Sequence, residues 1–416
     1  MKKPKSPTPR PQSKITTLRQ LCNLIPPHLV PKLARECGVD SLCRKFSAWS
    51  HIVAMLYAQL THAIGLNDVC DSLRIHSGPL SAIRGVTPPA RSTLSHAGKL
   101  RPALLAEKLF WEMLTYLQSL SPDFAHPQFR SGFIRRFKRT IHVVDSTVIE
   151  LVANCMDWAK HRRRKAAAKC HMRLDLQSFL PKFAIISTAK ENDAKRAREL
   201  CASIQAGEIV IFDRAYLDFD HLFDLFVRGI FWITRAKTNL KLRVVKRRKK
   251  PSNPKILADE EVVLVNKQAF LGKYPERMRR IRALVMVDGL EREMVFLTNN
   301  MEWSASTIAD LYRCRWDIEV FFKQIKQTLK LADFLGHSAN GVRWQIWTAL
   351  LVYLLLRFYA HLSQWNHSFT RLFAIIRSAL WCKLDLRSLL ERYGTAGGSF
   401  RAMATPEQAY FPAFAR

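Results

Sequence analysis

The sequence predicts an α/β protein: a mixed β-sheet core with a β-rich insertion, preceded by a helical N-terminal domain. Two observations predict this class. Short apolar runs of strand length recur between residues 139 and 218, with one helical segment among them. Apolar residues at spacings of three and four dominate the flanking segments, as in amphipathic helices. The 416 residues, 48% of them hydrophobic, suffice for a full core and for about two or three domains.

The N-terminal part divides into a basic arm and a helical region. Residues 1–14 are rich in lysine, arginine and proline, which predicts a disordered arm, and no apolar segment follows to form a secretory signal. Residues 15–128 have helical periodicity and are predicted to form a helical N-terminal domain, for which the following motif suggests DNA binding. A double proline and a Ser–Thr pair precede a short helix near Arg91, Lys99 and Arg101. This pattern predicts either a helix that enters a major groove or an ordinary bundle with a basic surface.

The predicted core begins near residue 133 and extends to 365. It opens with three strand-like runs, a helical segment and a further buried strand, which is typical of a mixed sheet. Between about 241 and 300, short β-rich runs alternate with turns, and we interpret this section as a β insertion. Residues 366–416 are predicted to form a helical region and a loose tail.

Charge and cysteine content indicate the partner and the compartment. The chain has 66 basic and 34 acidic residues, a net charge of +32. Such an excess favours a nucleic-acid partner over a ribosomal or membrane-surface role. The nine cysteines show no zinc-ligand spacing, which fits a reducing compartment, and the predicted location is the cytoplasm, in association with nucleic acid. The apolar stretch Ile346–Leu356 is too short to cross a bilayer, so we expect a buried helix and no membrane interaction.

Two buried strands run directly into aspartate. The run IHVV precedes Asp145, and IVIF precedes Asp213. Ligands of open α/β sheets bind at the carboxyl ends of the strands. Neighbouring strands lie about 4.8 Å apart, so both carboxylates would reach one small volume if these strands are paired.

A third carboxylate is predicted from a later helix. At about 100° per residue, Tyr312, Arg315, Glu319 and Lys326 fall within a wedge of about 60°, whereas Asp317 points almost opposite to Glu319. A carboxylate flanked by cations suits a metal-dependent phosphodiester site, in which carboxylates hold the ion and cations hold phosphates. Hard divalent ions, Mg²⁺ or Mn²⁺, take such oxygen ligands.

These residues resemble a known signature. The spacing Tyr-x2-Arg-x3-Glu-x6-Lys, from Tyr312 to Lys326, resembles that of bacterial DDE transposases of the insertion-sequence-four family. The block Asp145-Ser146-Thr147 is similar to the first catalytic block of that family. The block Asp213-Arg214-Ala215-Tyr216 resembles the second catalytic block of the family, with alanine where glycine is common.

The resemblance implies an RNase H-like core with Asp145, Asp213 and Glu319 as catalytic residues and as ligands of two Mg²⁺ or Mn²⁺ ions. It implies metal-dependent cleavage of transposon ends and strand transfer into a target duplex, with a homodimer in the DNA complex. The predicted DNA or phosphate contacts are Tyr312, Arg315, Lys326, Trp316, Arg214, Lys169 and His171.

Several alternatives remain open in the sequence. Trp316 either stacks on an extruded base in a hairpin step or packs in the core. Relatives that form a hairpin sometimes carry a second tryptophan on the β insertion. Residues 262–300 contain no tryptophan, so Trp232 or Trp303 is predicted to take that role. The basic tracts at 160–165 and 241–250 are predicted to track phosphates. Two other functions fit the pattern: a metal-dependent DNA endonuclease without strand transfer, and a non-catalytic DNA-binding derivative of a transposase.

Overall fold

The computed structural model describes most of the chain. The described residues are 12–39, 43, 45–125, 133–151, 160–162, 165–188, 193–249, 252–265, 274–287, 289–329 and 335–392. They form two compact units. Of the described residues, the first contains those up to Phe124, Ile149–Ala166 and Lys323–Arg392; the second contains Ala125–Val148 and Ala167–Phe322.

One mixed sheet organises the second unit. Its first strands are β1 (Ile141–Leu151), β2 (Lys160–Arg162), β3 (Lys165–Asp175), β4 (Leu180–Thr188), β5 (Ile209–Phe212) and β6 (Phe231–Arg235). Of these, β2, the last residues of β1 and the first residues of β3 are grouped with the first unit. The sheet has the order β2-β3-β1-β5-β6, and β4 pairs with β3. Strands β3 and β4 are antiparallel, whereas β5 is parallel to both β1 and β6. An antiparallel meander followed by two parallel strands is the RNase H-like arrangement, so the predicted fold class is confirmed.

The insertion extends this sheet. Its strands are β7 (Leu242–Arg247), β8 (Ile256–Leu264), β9 (Met278–Val287) and β10 (Leu290–Thr298). They continue the sheet in the order β6-β10-β9-β8-β7, with antiparallel pairs throughout. The basic tract at 241–250 therefore contributes the edge strand β7.

Helices complete both units. In order they are α1 (Thr17–Asn23), α2 (Leu29–Glu36), α3 (Ala48–Thr61), α4 (Leu66–Ile75), α5 (Ser77–Ser81), α6 (Arg91–Leu100), α7 (Leu104–Leu120), α8 (Asp193–Cys201), α9 (Phe219–Val227), α10 (Ala305–Arg313), α11 (Trp316–Lys323), α12 (Ala339–Leu362), α13 (Phe369–Ser378) and α14 (Leu386–Arg392). Short 3₁₀ turns cover Pro122–Ala125, Ile134–Arg136 and Arg214–Tyr216, and a π-helix covers Gln324–Thr328.

In the first unit the long helix α12 packs against α3, α6 and α7. By length and composition α12 could cross a membrane, but 83% of its apolar window is buried inside the protein, as in the core helix of a globular unit. The expectation of a buried helix at Ile346–Leu356 is thus confirmed.

The compact units divide the chain differently from the predicted domain boundaries. Residues 339–362, predicted as part of the core, belong to the unit of the N-terminal helices because α12 packs among them. The predicted arm at 1–14 and the predicted loose tail lie almost wholly outside the described residues.

Candidate active site

Asp145 and Asp213 lie side by side at one edge of the β1–β5 pair. The register matches Val144 with Phe212, so the next residue on each strand is an aspartate. The sequence predicted that β1 ends at Asp145, but the strand continues to Leu151. Pairing with β5 nevertheless stops before Asp145, because β5 ends at Phe212 and the chain turns into a 3₁₀ turn. The two carboxylates therefore share the mouth of the sheet.

Glu319 joins them through an arginine. Arg315 donates from Nη1 to Asp145 Oδ2 at 3.1 Å and from Nη2 to Glu319 Oε1 at 2.7 Å. Since both nitrogens belong to one planar guanidinium, the two carboxylate oxygens are no more than about 8 Å apart. The structure thus brings all three predicted carboxylates to one place, although they are distant in sequence.

The segment carrying Glu319 is not the single regular helix that the sequence predicted. Helix α10 ends at Arg313, α11 begins at Trp316, and a π-helix follows from Gln324 to Thr328. The uniform rotation of 100° per residue therefore fails across this segment. Lys326 lies on the π-helix, which belongs to the first unit.

Burial and charge oppose each other at Asp145. Burial raises the pKa of Asp145 to about 7, although the Arg315 guanidinium and the backbone N–H of Ser146 act to lower it. Arg315 shows the complementary effect: burial lowers its pKa, but the carboxylates of Asp145 and Glu319 more than compensate and raise it overall. The arginine consequently stays charged and supplies the positive charge that this carboxylate cluster requires.

Tyr312 lies beneath the site rather than on its surface. Its side chain is 4% exposed, its ring packs on Phe296 at 4.8 Å between centroids, and its hydroxyl donates to Asp213 Oδ1 at 3.5 Å. Burial raises the pKa of Tyr312 to about 12, so the hydroxyl remains a neutral donor. In this arrangement Tyr312 contacts a carboxylate.

Lys169 and His171 point inward. The His171 ring is 0% exposed, so it lies inside the protein and away from its surface. Both side chains lie against Asp193, with Lys169 Nζ at 2.8 Å and His171 Nδ1 at 3.4 Å from its Oδ1. The hydroxyl of Ser146 donates to the same oxygen at 2.8 Å. Sequence analysis missed Asp193; its only signal was its position at the start of a helix, which many surface carboxylates share.

The other residues predicted to contact DNA differ in how far they are exposed. Arg214 is exposed on the turn directly after Asp213, and Trp316 is half-buried at the first residue of α11. Trp232 is fully buried on β6, so it cannot stack on an extruded base. Trp303 packs against Phe231, with ring centroids 5.1 Å apart.

Helix α6 presents a polar surface in the first unit. It buries Leu94 and Ala97 and packs against α4 and α12. Its exposed polar residues are Arg91, Ser92, Thr93, Ser95, His96 and Lys99. Arg101, predicted to contribute to the same basic surface, is instead 4% exposed and donates to the backbone carbonyls of Phe46 and Ser47.

The basic tracts are only partly described. In the first tract, residues 163–164 lie outside the described residues, and Lys160–Arg162 form β2. In the second, Lys246 and Arg247 are 66% and 85% exposed on β7, within 3.9 and 3.8 Å of Glu261 and Glu260 respectively.

The three carboxylates supply the kind of oxygen donor that a divalent metal ion prefers. Among the described residues, no three acidic, histidine or cysteine side chains are close enough together to hold one ion as they stand. Yet Asp145 and Glu319 already share one cation, the Arg315 guanidinium, and Asp213 lies beside Asp145. Carboxylate oxygens are the ligands that Mg²⁺ and Mn²⁺ prefer, so the residues fit such an ion in chemistry and in location.

The fold and the site define an RNase H-like protein with three carboxylates at the mouth of its sheet. The chain matches the transposase DDE domain over residues 136–355 and belongs to this family: it is a DNA transposase of the bacterial insertion-sequence type. Proteins of this family generally use divalent metal ions and act on DNA. Residues 13–83 match a separate domain of unknown function (DUF4372).

Named relatives agree with this assignment. The chain is 32% identical over 259 residues to the transposase y4zB of Sinorhizobium fredii, covering 61% of this chain and 70% of the relative. It is 29% identical to the IS5377 transposase of Geobacillus stearothermophilus, covering 53% and 57%. It is 22% identical to the IS231E transposase of Bacillus thuringiensis subsp. finitimus, covering 79% and 76%.

A similar solved structure is the cryo-EM piggyBac transposase synaptic complex with hairpin DNA. The TM-score is 0.45 at 9% identity, over 92% of this chain and 84% of that chain.

Proposed function

We propose that Asp145, Asp213 and Glu319 are the catalytic carboxylates of DNA end cleavage and strand transfer, and that they hold Mg²⁺ or Mn²⁺, with two ions per site. One observation carries this proposal: a single cation, the Arg315 guanidinium, bridges Asp145 and Glu319 beside Asp213. When bound, divalent ions would activate the attacking oxygen and stabilise the leaving oxygen of a phosphodiester.

The protein's own residues prepare the site for an anionic substrate. Arg315 keeps its charge, and a guanidinium binds phosphate oxygens with the same two-nitrogen geometry as carboxylate oxygens. We therefore expect Arg315 to exchange a carboxylate for a DNA phosphate when DNA and metal bind. Tyr312, held against Asp213, orients that carboxylate from the buried side. The exposed Arg214 supplies a further cation for the DNA backbone, and the half-buried Lys326 is proposed as another.

Nicking and joining assays test the assignment. Asp145→Asn, Asp213→Asn and Glu319→Gln should each abolish Mg²⁺-dependent nicking of a duplex carrying a transposon end, while binding of that duplex is retained. Asp224→Asn provides the matched control, because Asp224 is a half-exposed acid of the same unit that pairs only with the nearby Arg228 among the ion pairs of the described residues. Nicking that survives any of the three substitutions would refute the assignment.

Strand transfer is tested separately. A pre-cleaved end with a 3′-hydroxyl, mixed with a target duplex, should yield a joined product; a metal-dependent endonuclease would nick and leave no joined product. Association into a dimer is expected on paired ends, and the mass of the complex with end DNA, measured by light scattering, tests this stoichiometry.

Helix α6 is the proposed reader of the transposon end. It is fixed to the bundle by two small apolar contacts and carries hydrogen-bonding side chains and no carboxylate on its exposed surface. Such a helix suits the major groove, where base edges are read by side-chain donors and acceptors.

Competition binding tests this helix. Ser95→Ala with His96→Ala should reduce the preference for end DNA over a scrambled duplex by about tenfold or more, since each specific base contact contributes about 1–3 kcal/mol. Arg74→Ala on α4 is the control, because Arg74 is 65% exposed and pairs with Asp71 on the same helix. Equal weakening on both duplexes would mean that α6 contacts only the DNA backbone.

A further inference from the structure

A polar cluster lies beside the three carboxylates and has no part in the proposed chemistry. Its centre is Asp193, the first residue of α8. One oxygen of Asp193 accepts a hydrogen bond from Ser146 Oγ at 2.8 Å, and it lies 2.8 Å from Lys169 Nζ and 3.4 Å from His171 Nδ1. We infer that Asp193 is a positioning residue, which fixes Ser146 and thereby the orientation of the Asp145 carboxylate. The inference rests on the proposed catalytic role of Asp145.

The contacts form a chain from Asp193 to Asp145. The backbone N–H of Ser146 donates to Asp145 Oδ1 at 2.7 Å. The other oxygen, Oδ2, is thereby directed to Arg315 at 3.1 Å, on the side of Glu319. A serine hydroxyl can bond its own backbone or a neighbouring carboxylate. Because the Ser146 hydroxyl is committed to Asp193, it does not compete for Asp145, and the amide contact keeps its geometry.

Asp193 also connects the two catalytic strands. Helix α8, which it begins, packs against β4 and against the 3₁₀ turn Arg214–Tyr216. That turn directly follows Asp213. One carboxylate therefore ties the residue after Asp145 to the helix that supports the residues after Asp213. In metal sites, residues that orient a ligand through a hydrogen bond typically contribute about 10- to 100-fold in affinity or activity.

Lys169 offers a competing explanation. Its side chain is 12% exposed and that of Asp193 is 20% exposed, so the pair is largely desolvated. Asp193 could then serve only to neutralise Lys169, with no effect on Ser146. The two explanations predict different results when the charges of Asp193 and Lys169 are removed together. If Asp193 only neutralises Lys169, the double variant should behave like wild type. If Asp193 positions Ser146, the double variant should be impaired, because the acceptor of the Ser146 hydroxyl is missing.

The test uses four variants of the full chain and two readouts. The variants are Ser146→Ala, Lys169→Met, Asp193→Ala with Lys169→Met, and all three substitutions combined. The readouts are Mn²⁺ affinity by calorimetry and the single-turnover nicking rate on saturating end DNA. We expect the Ser146 variant and the Asp193/Lys169 pair each to lose about tenfold in both readouts, with end-DNA affinity within about twofold. The triple variant should be no worse than the pair, and Lys169→Met alone should keep wild-type Mn²⁺ affinity, because the acceptor of Ser146 is still present.

Glu208→Gln is the matched control for stability. Glu208 also ties a carboxylate to β1, but through His142, four residues before Ser146, at 3.2 Å. Glu208→Gln should lose thermal stability, because this contact to β1 is removed, but it should keep wild-type Mn²⁺ affinity.

Three outcomes would overturn the inference: wild-type behaviour of the Asp193/Lys169 pair, additive losses in the triple variant, or an equal loss of Mn²⁺ affinity in Glu208→Gln. A wild-type protein that nicks no DNA, while the variants still lose Mn²⁺ affinity, would refute the proposed function and leave the positioning role intact.

Discussion

Replacing Asp145 by asparagine is expected to stabilise the metal-free protein, even though it removes a proposed catalytic group. Burial raises the pKa of Asp145 from 3.8 to about 7, against the opposing effects of Arg315 and the Ser146 amide. A carboxyl whose pKa is higher in the folded state binds its proton more tightly there, so its ionisation opposes folding. The stabilising contribution of the protonated Asp145 carboxyl is complete below pH 3.8 and is lost as the pH rises through about 7.

The magnitude follows from the size of the shift. One pKa unit corresponds to about 1.4 kcal/mol. Relative to an uncharged side chain, Asp145 therefore lowers the free energy of unfolding by about 4 kcal/mol at pH 8, where it is ionised in the folded state, and by about 2 kcal/mol at pH 5, where it is ionised only in the unfolded chain. The side chain is 16% exposed, so solvent screening reduces these values little. Asparagine has nearly the same shape and no charge, and the variant should gain stability by these amounts.

Urea unfolding in the presence of a chelator, followed by tryptophan fluorescence at pH 5 and pH 8, measures the effect. Asp224→Asn is the control, because a substitution of that exposed side chain should change the free energy of unfolding by no more than about 0.5 kcal/mol. An Asp145→Asn protein that is less stable than wild type at pH 8, or whose gain is equal at both pH values, would refute the reasoning.

Three further predictions concern other parts of the protein. Burial raises the pKa of Glu208, but hydrogen bonds from a histidine and a backbone amide lower it to about 2. Glu208→Gln should therefore reduce the free energy of unfolding by about 3 kcal/mol above pH 4.5. In urea titrations this reduction should disappear as the pH falls through 2. Arg279→Met removes the ion-pair partner of the buried Asp259 and should reduce the free energy of unfolding by about 3–5 kcal/mol, as measured by thermal unfolding. Adding Asp259→Leu should recover most of this loss. Lys246→Gln with Arg247→Gln should lower the slope of log affinity against log salt by up to about 1.8 on non-specific duplex, and an unchanged slope would exclude phosphate contacts at β7.

The carboxylate constellation could be predicted from sequence because two strong local signals constrain it. Runs such as IHVV and IVIF are apolar on both sides, which identifies buried strands, and an aspartate after each marks the same edge if the strands pair. The register of Val144 with Phe212 supplies that pairing. Strand alternation and burial are local properties, so sequence patterns report them well.

The conformation around Glu319 could not be predicted in the same way. Helical periodicity assumes a constant rotation per residue, and the break between Arg313 and Trp316, together with the π-helix at Gln324–Thr328, violates that assumption. The apolar pattern continues through both irregularities, because Ile318, Phe321 and Ile325 are buried in either geometry. Burial alone therefore could not reveal where the regular helix stops.

The partners of the charged residues were beyond sequence analysis for a chemical reason. A guanidinium or ammonium binds carboxylate and phosphate oxygens with similar geometry, so a pattern of arginine and lysine near a catalytic carboxylate does not reveal which anion each one contacts. Arg315 holds Asp145 and Glu319, and Lys169 holds Asp193, where phosphates were predicted. These pairs also neutralise carboxylates that would otherwise repel one another beside an anionic substrate. At the proposed site, DNA phosphates would compete with carboxylates for Arg315, and this competition gives a physical reason why divalent ions and DNA would bind there together.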